Sequence, residues 1–313
     1  MLAEMLAAIA PRDGASYVDG TFGAGGYSRA ILEAADCSVC AIDRDEDAVA
    51  LGRAMEQAYP SRFTILCGRF GDMLSLLHRH GVERVDGVVL DLGVSSMQLD
   101  RPQRGFSFRA DGPLDMRMSQ SGPSAADVVN GLEERALAEI IRDLGEERFA
   151  RRVARAIVEA RHLAPITRTE QLAEIVRRAV PRAKDGIDPA TRTFMALRLH
   201  VNDELGEIDR GLQAAEKLLV AGGRLVVISF HSLEDRRVKH FMRARSRGSH
   251  GVSRYVPQPG AAPMPTFKLA QRRALAPGED EIRSNPRARS ARLRMAERTE
   301  NPTWPPQPER IAA

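Results

Sequence analysis

Short apolar runs alternate with stretches of helical period over the first 91 residues of the chain. The runs predict four strands, at residues 15–19, 38–43, 63–66 and 85–91. Between them, the apolar spacing at residues 27–33 and 46–57 predicts helices. Strands that alternate with helices in this way predict a parallel sheet with right-handed crossovers.

This alternation stops near residue 100. Residues 100–124 are rich in Gly, Pro and Ser and have no period, which is typical of a functional loop or a crossing between domains. Residues 125–180 have helical periods only, and their apolar residues repeat at three and four, as at Leu137, Ile140, Ile141 and Leu144. We interpret residues 105–200 as a helical domain inserted into the sheet domain.

Two helix starts are predicted inside this insertion. Thr167 and Glu170 have the spacing of a capping box, in which each side chain bonds the other residue's backbone N–H. Asp188 and Pro189 supply an N-cap and a first-turn proline for a further long helix.

The sheet pattern resumes after the insertion. A turn at Gly222 and Gly223 precedes an apolar strand at 225–229, and the alternation at 291–295 predicts a half-buried strand with a hairpin partner at 266–269. The sheet domain therefore comprises residues 1–104 and 201–298, in an α/β architecture. We expect the stretch 244–265 to be mobile and the tail 299–313 to be disordered.

Composition excludes several classes of protein. The 313 residues include 46 Lys and Arg against 42 Asp and Glu, and arginine, which favours phosphate, supplies almost all the basic residues. No apolar run reaches the roughly 18–20 residues of a membrane span, and the N-terminus lacks the basic region of a signal peptide. Among only 3 cysteines, Cys37 and Cys40 lie in a predicted strand with no second pair, so we expect no metal site. A cytoplasmic protein is expected.

The stretch YVDGTFGAGGYS follows the first predicted strand and reads as a ligand-binding loop. Gly23, Gly25 and Gly26 would let a ligand approach the backbone, and Asp43 follows Gly25 at the distance of a carboxylate that binds ribose hydroxyls. The glycine spacing differs from the dinucleotide pattern, and Asp19 ahead of it disfavours a pyrophosphate. An acid there suits the cationic S-adenosylmethionine, whereas a glycine turn without a ligand is the structural alternative.

Other strand ends complete the predicted pocket. Phe70 is a candidate to flank the adenine or, equally, a core residue, and Asp91 is expected to face the methyl group. Gln98 is a candidate to close the methionine end of the donor or else a surface residue. His231 fits a general base or a local helix cap.

Several blocks then identify a family resemblance. DGTFGAGGYS, DGVVLDLGVSSMQLD, GEERFARRVARAIV, PATRTFMALRLHVNDEL and GGRLVVISFHSLEDR resemble the RsmH (MraW) family, over about residues 2–298. The resemblance implies a class I methyltransferase fold with an inserted helical domain. It also implies transfer of a methyl group from S-adenosylmethionine to N4 of a cytidine in the decoding centre of 16S rRNA, within the small ribosomal subunit.

The resemblance assigns donor-binding positions to Gly25, Gly26, Tyr27, Asp43, Phe70, Asp91 and Gln98. The family usually has histidine where Tyr27 stands, and its chains usually begin with a His-x-Pro-Val segment ahead of MLAEML. Expected partners are the rRNA of the small subunit and no membrane, with a homodimer left open. A methyltransferase of another RNA or DNA base and a non-catalytic RNA-binding regulator are the alternatives.

Asp91 is the expected catalytic residue, because an acceptor for the N–H groups of the cytosine amine would localise its lone pair. The backbone carbonyl of Leu92 is the second candidate. Phe106, Phe108 or Phe230 could supply a stacking aromatic, although anchoring of the loop explains the first two equally well. Two groups of arginines are candidates for phosphate contacts: Arg148, Arg151, Arg152 and Arg155, and Arg287, Arg289, Arg292 and Arg294.

Overall fold

A computed structural model describes residues 1–181, 186, 188–247 and 263–304 of the chain. It divides into two compact units. The sheet unit comprises Met1–Asp43, Asp47–Leu92 and the residues from Glu207 onward, and the helical unit comprises Arg44–Glu46 and Gly93–Gly206. Most of the predicted mobile stretch, at 248–262, and the end of the predicted tail, at 305–313, lie outside the described residues.

Seven strands form one sheet in the order β3-β2-β1-β4-β5-β7-β6. Strands β1 to β5 are parallel, whereas β7 is antiparallel to both of its neighbours. The predicted α/β class and the predicted hairpin before the last strand are confirmed. The strands are β1 Ser16–Asp19, β2 Ser38–Asp43, β3 Phe63–Cys67, β4 Val85–Asp91, β5 Leu219–Ser229, β6 Phe267–Lys268 and β7 Arg292–Arg298.

Helices fill both units. Those of the sheet unit are α1 Leu2–Ile9, α2 Gly26–Ala34, α3 Glu46–Ala58 (whose first residue belongs to the helical unit), α4 Met73–Arg79, α12 Ser232–Arg247 and α13 Glu279–Ser284. Those of the helical unit are α5 Ser96–Asp100, α6 Ala125–Gly131, α7 Glu134–Gly145, α8 Ala150–Leu163, α9 Thr169–Ala179 and α10 Ala190–Asn202. Helix α11, Glu204–Leu218, begins in the helical unit and continues into the sheet unit. Within the described ranges, no helix has the length and apolar composition that crossing a membrane requires.

Strand β4 shows why the sheet forms. Four consecutive residues of this strand, 87–90, are buried, and Val88, Val89 and Leu90 are completely inaccessible. Burial on both faces is typical of a parallel strand covered by crossover helices, and it explains the continuous apolar run in the sequence.

Strand β5 is longer than predicted. It begins at Leu219 and includes Gly222 and Gly223, which were predicted to form a turn ahead of it. The register against β4 jumps between the pairs Val85–Leu219 and Gly87–Arg224, and Gly222 has a φ of 78°. The two glycines therefore form an irregularity inside the strand, where the left-handed backbone favours glycine.

The predicted capping box at Thr167 and Glu170 is wrong. Helix α9 begins at Thr169, and the Glu170 N–H donates to the carboxylate of Asp111. The Thr169 hydroxyl accepts a bond from the N–H of Gly112. A distant loop thus supplies the cap, which local spacing cannot reveal. Helix α10 begins at Ala190 with Pro189 as its N-cap, one residue later than predicted, and the Asp188 carboxylate accepts a bond from Ala190 N.

A buried ionic cluster lies where helices α11 and α12 meet the last strands of the sheet. Glu216, which is 2% exposed, accepts hydrogen bonds from the Arg245 guanidinium and the Thr266 hydroxyl. Its backbone carbonyl accepts a bond from Arg298 Nε. The cluster therefore joins α11 and α12 to the strands that end the sheet.

Part of the predicted disordered tail is ordered. Thr299 and Asn301 both donate side-chain hydrogen bonds to the Pro265 carbonyl, and Trp304 Nε1 donates to Met264 O. The Trp304 ring also lies 4.3 Å from the Arg245 guanidinium. The buried charge of Arg245 attracts the ring face, which polar composition alone does not reveal.

We expect Glu216→Ala to lower the free energy of unfolding by about 3–5 kcal/mol, because it leaves Arg245 buried without its carboxylate. Urea denaturation of the full chain measures this change. Glu139→Ala is the matched control, since Glu139 pairs with Arg135 at the surface, and we expect less than about 0.5 kcal/mol there. Equal losses in the two variants would contradict the role of burial.

Candidate active site

Four adjacent parallel strands end at one edge of the sheet. Because β3, β2, β1 and β4 are neighbours in that order, the residues that follow them lie side by side. Phe70 comes after β3, Asp43 ends β2, a loop of four glycines at residues 20–26 follows β1, and Asp91 ends β4. The chain order reverses between β1 and β4, which is where open parallel sheets bind ligands.

The backbone of the glycine loop is fastened to both neighbouring strands. Gly20 N donates to Val89 O of β4 at 2.9 Å, and Phe22 N donates to Ile42 O of β2 at 3.1 Å. Gly25 has a φ of 79°, and a Cβ there would lie 2.7 Å from the Phe22 ring. Glycine is therefore required at Gly25 both by the backbone angle and by the packing.

Three polar side chains complete these attachments. The Asp19 carboxylate accepts bonds from Thr21 N and from the Ser28 hydroxyl at 2.7 Å. The Asp43 carboxylate accepts from Gly23 N at 2.7 Å, and the Thr21 hydroxyl accepts from Asp91 N at 2.7 Å. The predicted roles did not include Thr21 or Ser28; hydroxyl residues within a glycine-rich loop are the only signal that could have indicated them.

Asp19 holds the loop from inside the protein. Its side chain is completely buried, and burial raises its pKa to about 6, against the lowering effect of the bonds from Ser28 and Thr21. Asp19 can therefore favour a cationic ligand only through the long-range attraction of its charge. In this structure it has no surface for a direct contact.

Asp91 has an unsatisfied polar atom at this edge. Its Oδ1 atom is buried and finds no hydrogen-bond partner among the described residues. Burial raises the pKa of Asp91 to about 7, and the Asp19 carboxylate adds to this rise. A buried acceptor without a donor costs free energy, so this oxygen suits a ligand that brings an N–H group or a positive charge.

Tyr27 lies beside the two carboxyl groups. A hydrogen bond from its side chain lowers the pKa of Asp91. Burial raises the pKa of the Tyr27 hydroxyl, and the charges of Asp91 and Asp19 raise it further, so that it stays protonated and able to donate.

The structure leaves the predicted roles of Gly26 and Phe70 open. A Cβ at Gly26 would meet no atom within 4 Å among the described residues, so there is space next to its backbone. The Phe70 ring packs closely against Gly211 of α11, yet the residue keeps partial exposure. Contacts of both residues with a ligand stay predictions.

Gln98 belongs to the helical unit, where its side chain already has partners. Its Nε2 donates to Asp45 at 2.8 Å, and its Oε1 accepts from Ser95 N in a capping box that starts α5. It is also 5% exposed. Its predicted contact with the donor stays a prediction, whereas its observed role is to cap α5.

The histidine candidate is bonded locally. His231 Nδ1 faces Glu234 N at 3.5 Å, and His231 Nε2 lies 3.1 Å from the Glu234 carboxylate. The same carboxylate accepts bonds from Phe230 N and His231 N. Among the described residues His231 Nε2 is buried without a hydrogen-bond partner, so the cap accounts for one ring nitrogen and the general base stays a prediction.

The aromatic candidates divide between the units. Phe106 is buried in the core of the helical unit, and Phe108 packs edge-on against Phe194 at 4.7 Å. These contacts favour the anchoring alternative for both. Phe230 follows β5 and is partly exposed, so it is the remaining candidate for base stacking.

The described residues contain neither a metal-binding cluster nor a disulfide. Within the described parts of the chain, no group of three or more His, Cys, Asp or Glu side chains could hold a metal ion. The three cysteines form no disulfide. Cys40 lies in β2, and Cys37 immediately precedes that strand.

We expect Asp91→Asn to stabilise the protein at alkaline pH. The pKa of Asp91 in the folded state, about 7, lies above the roughly 3.9 of an unfolded aspartate, so stability falls as pH rises through that interval. The neutral amide removes this loss. The free energy of unfolding should rise by about 2–4 kcal/mol at pH 8, and by half of that or less at pH 5.

Urea denaturation at the two pH values measures this difference. Asp36→Asn serves as the control, since the Asp36 side chain is 84% exposed, and we expect its effect to stay within about 0.5 kcal/mol. A gain for Asp91→Asn that is the same at pH 5 and pH 8 would show that titration of this carboxyl is not its cause.

Comparison with known proteins identifies the family. The MraW methylase family model matches residues 1–299. The chain is similar to proteins named ribosomal RNA small subunit methyltransferase H from three organisms. Identity is 61% with Paramagnetospirillum magneticum (97% of this chain and 96% of the relative), 59% with Rhodospirillum rubrum (97% and 94%) and 62% with Rhodospirillum centenum (96% and 91%).

These matches confirm the predicted resemblance and the predicted class of enzyme, a methyltransferase. They extend over both units, so sheet and helices alike are family features. With residues 1–299 matched, the chain belongs to the MraW methylase family.

Proposed function

We propose that this chain transfers a methyl group from S-adenosylmethionine to N4 of a cytidine in the decoding centre of 16S rRNA, within the small ribosomal subunit. The names of its relatives support rRNA of the small subunit as substrate, and the family supports methyl transfer. We place the reaction in the cytoplasm; a homodimer stays a prediction. The observation that carries the proposal is the buried Oδ1 of Asp91 at the switch point of the sheet, which has no hydrogen-bond partner in the part of the chain that the structure describes.

The strand ends offer a donor site of suitable chemistry. The Asp43 carboxylate at the end of β2 is in the position of a ribose acceptor, and its bond to Gly23 N fixes it against the loop. The space beside Gly26 gives room for a ligand along the backbone. Asp19 and Asp91 add negative potential, which favours a cationic donor over an anionic dinucleotide.

S-adenosylmethionine, when bound, supplies an electrophilic methyl group on a sulfonium. The cytosine amine is a poor nucleophile because its lone pair is delocalised into the ring. Asp91 accepts an amine N–H and thereby localises that pair, and burial of Asp91 strengthens this bond. The amine proton is lost after transfer, so the chemistry requires no general base beforehand.

Methyl transfer can be tested directly. Labelled S-adenosylmethionine is offered with small subunits from cells lacking the modification, with naked 16S rRNA and with large subunits. We expect label in small subunits only, recovered as N4-methylcytidine after digestion. Label in another nucleic acid would assign a different methyltransferase, and donor binding without transfer would assign a non-catalytic RNA-binding protein.

Asp91→Asn separates chemistry from binding. We expect the rate of transfer to fall by about 10²–10⁴, because an amide is a weaker acceptor for the amine, while affinity for small subunits changes less than about two-fold. Single-turnover transfer and filter binding measure the two quantities. Unchanged transfer would rule out the proposed role of Asp91.

Asp43→Asn tests the donor site. The amide oxygen can still accept the bond from Gly23 N, but the charged acceptor for a ribose hydroxyl is lost. We expect the dissociation constant for S-adenosylmethionine to rise by about 10- to 100-fold, as for loss of a hydrogen bond to a charged group. Calorimetry measures it, with Asp36→Asn as a control of equal charge change; similar weakening in both variants would contradict the assignment.

A further inference from the structure

Three arginines on one face of helix α8, and a fourth in the turn just before it, are exposed to solvent. Ala150, Val153, Ala154 and Ile157 bury the opposite face of the helix in the core of the helical unit. We call this exposed set the arginine face. Its members recur at intervals of three, one and three residues: Arg148, Arg151, Arg152 and Arg155.

Three members of the arginine face lack partners. The side chains of Arg148, Arg151 and Arg152 make no hydrogen bond or ion pair within the part of the chain that the structure describes. Arg155 approaches Glu134 only to 3.9 Å, and both side chains are exposed.

Several other exposed arginines of the helical unit are paired, although the exposed Arg109 has no side-chain partner among the described residues. Arg135 bonds Glu139 at 3.0 Å, Arg142 bonds Asp143 at 2.7 Å, and Arg178 bonds Glu174 at 2.9 Å. Exposure by itself therefore does not leave an arginine unpaired in this unit.

The position of the arginine face opposes stability. It lies over the first turns of α8, where the helix dipole is positive, and the first turn contains no acidic residue. Like charges three and four residues apart repel each other as well. The arrangement therefore costs the free protein electrostatic free energy, which a bound anion would recover.

Three arginines of the second group are engaged within the chain, whereas the exposed Arg289 makes no side-chain hydrogen bond or ion pair among the described residues. Arg294 makes two bonds to the Asp235 carboxylate, at 2.7 and 2.9 Å, and Arg292 donates to the carbonyl of Ala291. Arg287 also has a partner. In the sequence both groups are candidates for phosphate contacts, whereas in the structure they differ in how many of their side chains have partners.

We propose that the arginine face is a docking surface for the sugar–phosphate backbone of the RNA substrate. Its helical members, Arg151 to Arg155, extend over about 6 Å of the helix axis, and Arg148 in the preceding turn lengthens the face, which suits more than one phosphate. Guanidinium groups bind phosphate oxygens in pairs, and such contacts position an RNA without reading its sequence. This inference rests on the proposed function, which supplies RNA as the partner.

The triple variant R148Q/R151Q/R152Q tests the surface. Its matched control is R135Q/R142Q/R178Q, which removes the same charge from paired, exposed arginines of the same unit. The probes are a labelled 20-nucleotide single-stranded RNA and small subunits lacking the modification, bound by the full chain between 50 and 300 mM KCl.

For the test variant we expect at least a ten-fold weaker affinity at about 100 mM salt, and a plot of log affinity against log salt that is shallower by about 2. The control should stay within about three-fold of wild type. The melting temperature of the test variant should not fall, because repulsion is relieved. At saturating small subunits kcat should stay near the wild-type value while KM rises.

The outcomes separate the two proposals. A wild-type salt slope in the test variant, or equal weakening in the control, overturns the docking surface even if methyl transfer proceeds. If the wild-type protein binds RNA but transfers no methyl group, the proposed function fails, and the slope still decides whether the arginine face binds phosphate.

Discussion

The buried carboxylate of Asp19 is the interaction on which the candidate site depends. Removing an ionised group from water is costly, and the bonds from Thr21 N and Ser28 Oγ offset only part of that cost, as the raised pKa shows. In return they hold both ends of the glycine loop. Thr21 then receives the bond from Asp91 N, so the loop and the neighbouring strand end are positioned together.

In the helical unit, too, a buried polar side chain bonds backbone groups of an irregular segment. Residues 105–124 contain no helix or strand, yet Leu114, Met116 and Met118 are buried. Their backbone groups need partners, and Asn202 supplies them: it accepts a bond from Met118 N and donates to Met116 O. A side chain at the end of α10 thus makes an irregular segment part of a core.

The parallel sheet and its functional edge were predictable because parallel strands end on the same side. Asp43 and Asp91 could be selected for this reason before their surroundings were known. Thr21 and Ser28 could not, because their hydrogen bonds depend on how the loop folds back over the sheet. Gln98 shows the converse: a polar residue that was expected to bind the donor has the capping of α5 and a bond to Asp45 as its observed roles.

By itself, the sequence determined the order of strands and helices and the positions of the strand-end acids, because hydrophobic period and turn residues act over a few neighbours. Only the tertiary structure decided which of these polar groups are satisfied. Among the described residues the Asp91 Oδ1 atom is buried without a hydrogen-bond partner and the side chains of Arg148, Arg151 and Arg152 are unpaired, whereas Arg294 bonds Asp235, 59 residues away. Pairing over such distances depends on packing in three dimensions, and no local pattern in the chain encodes it.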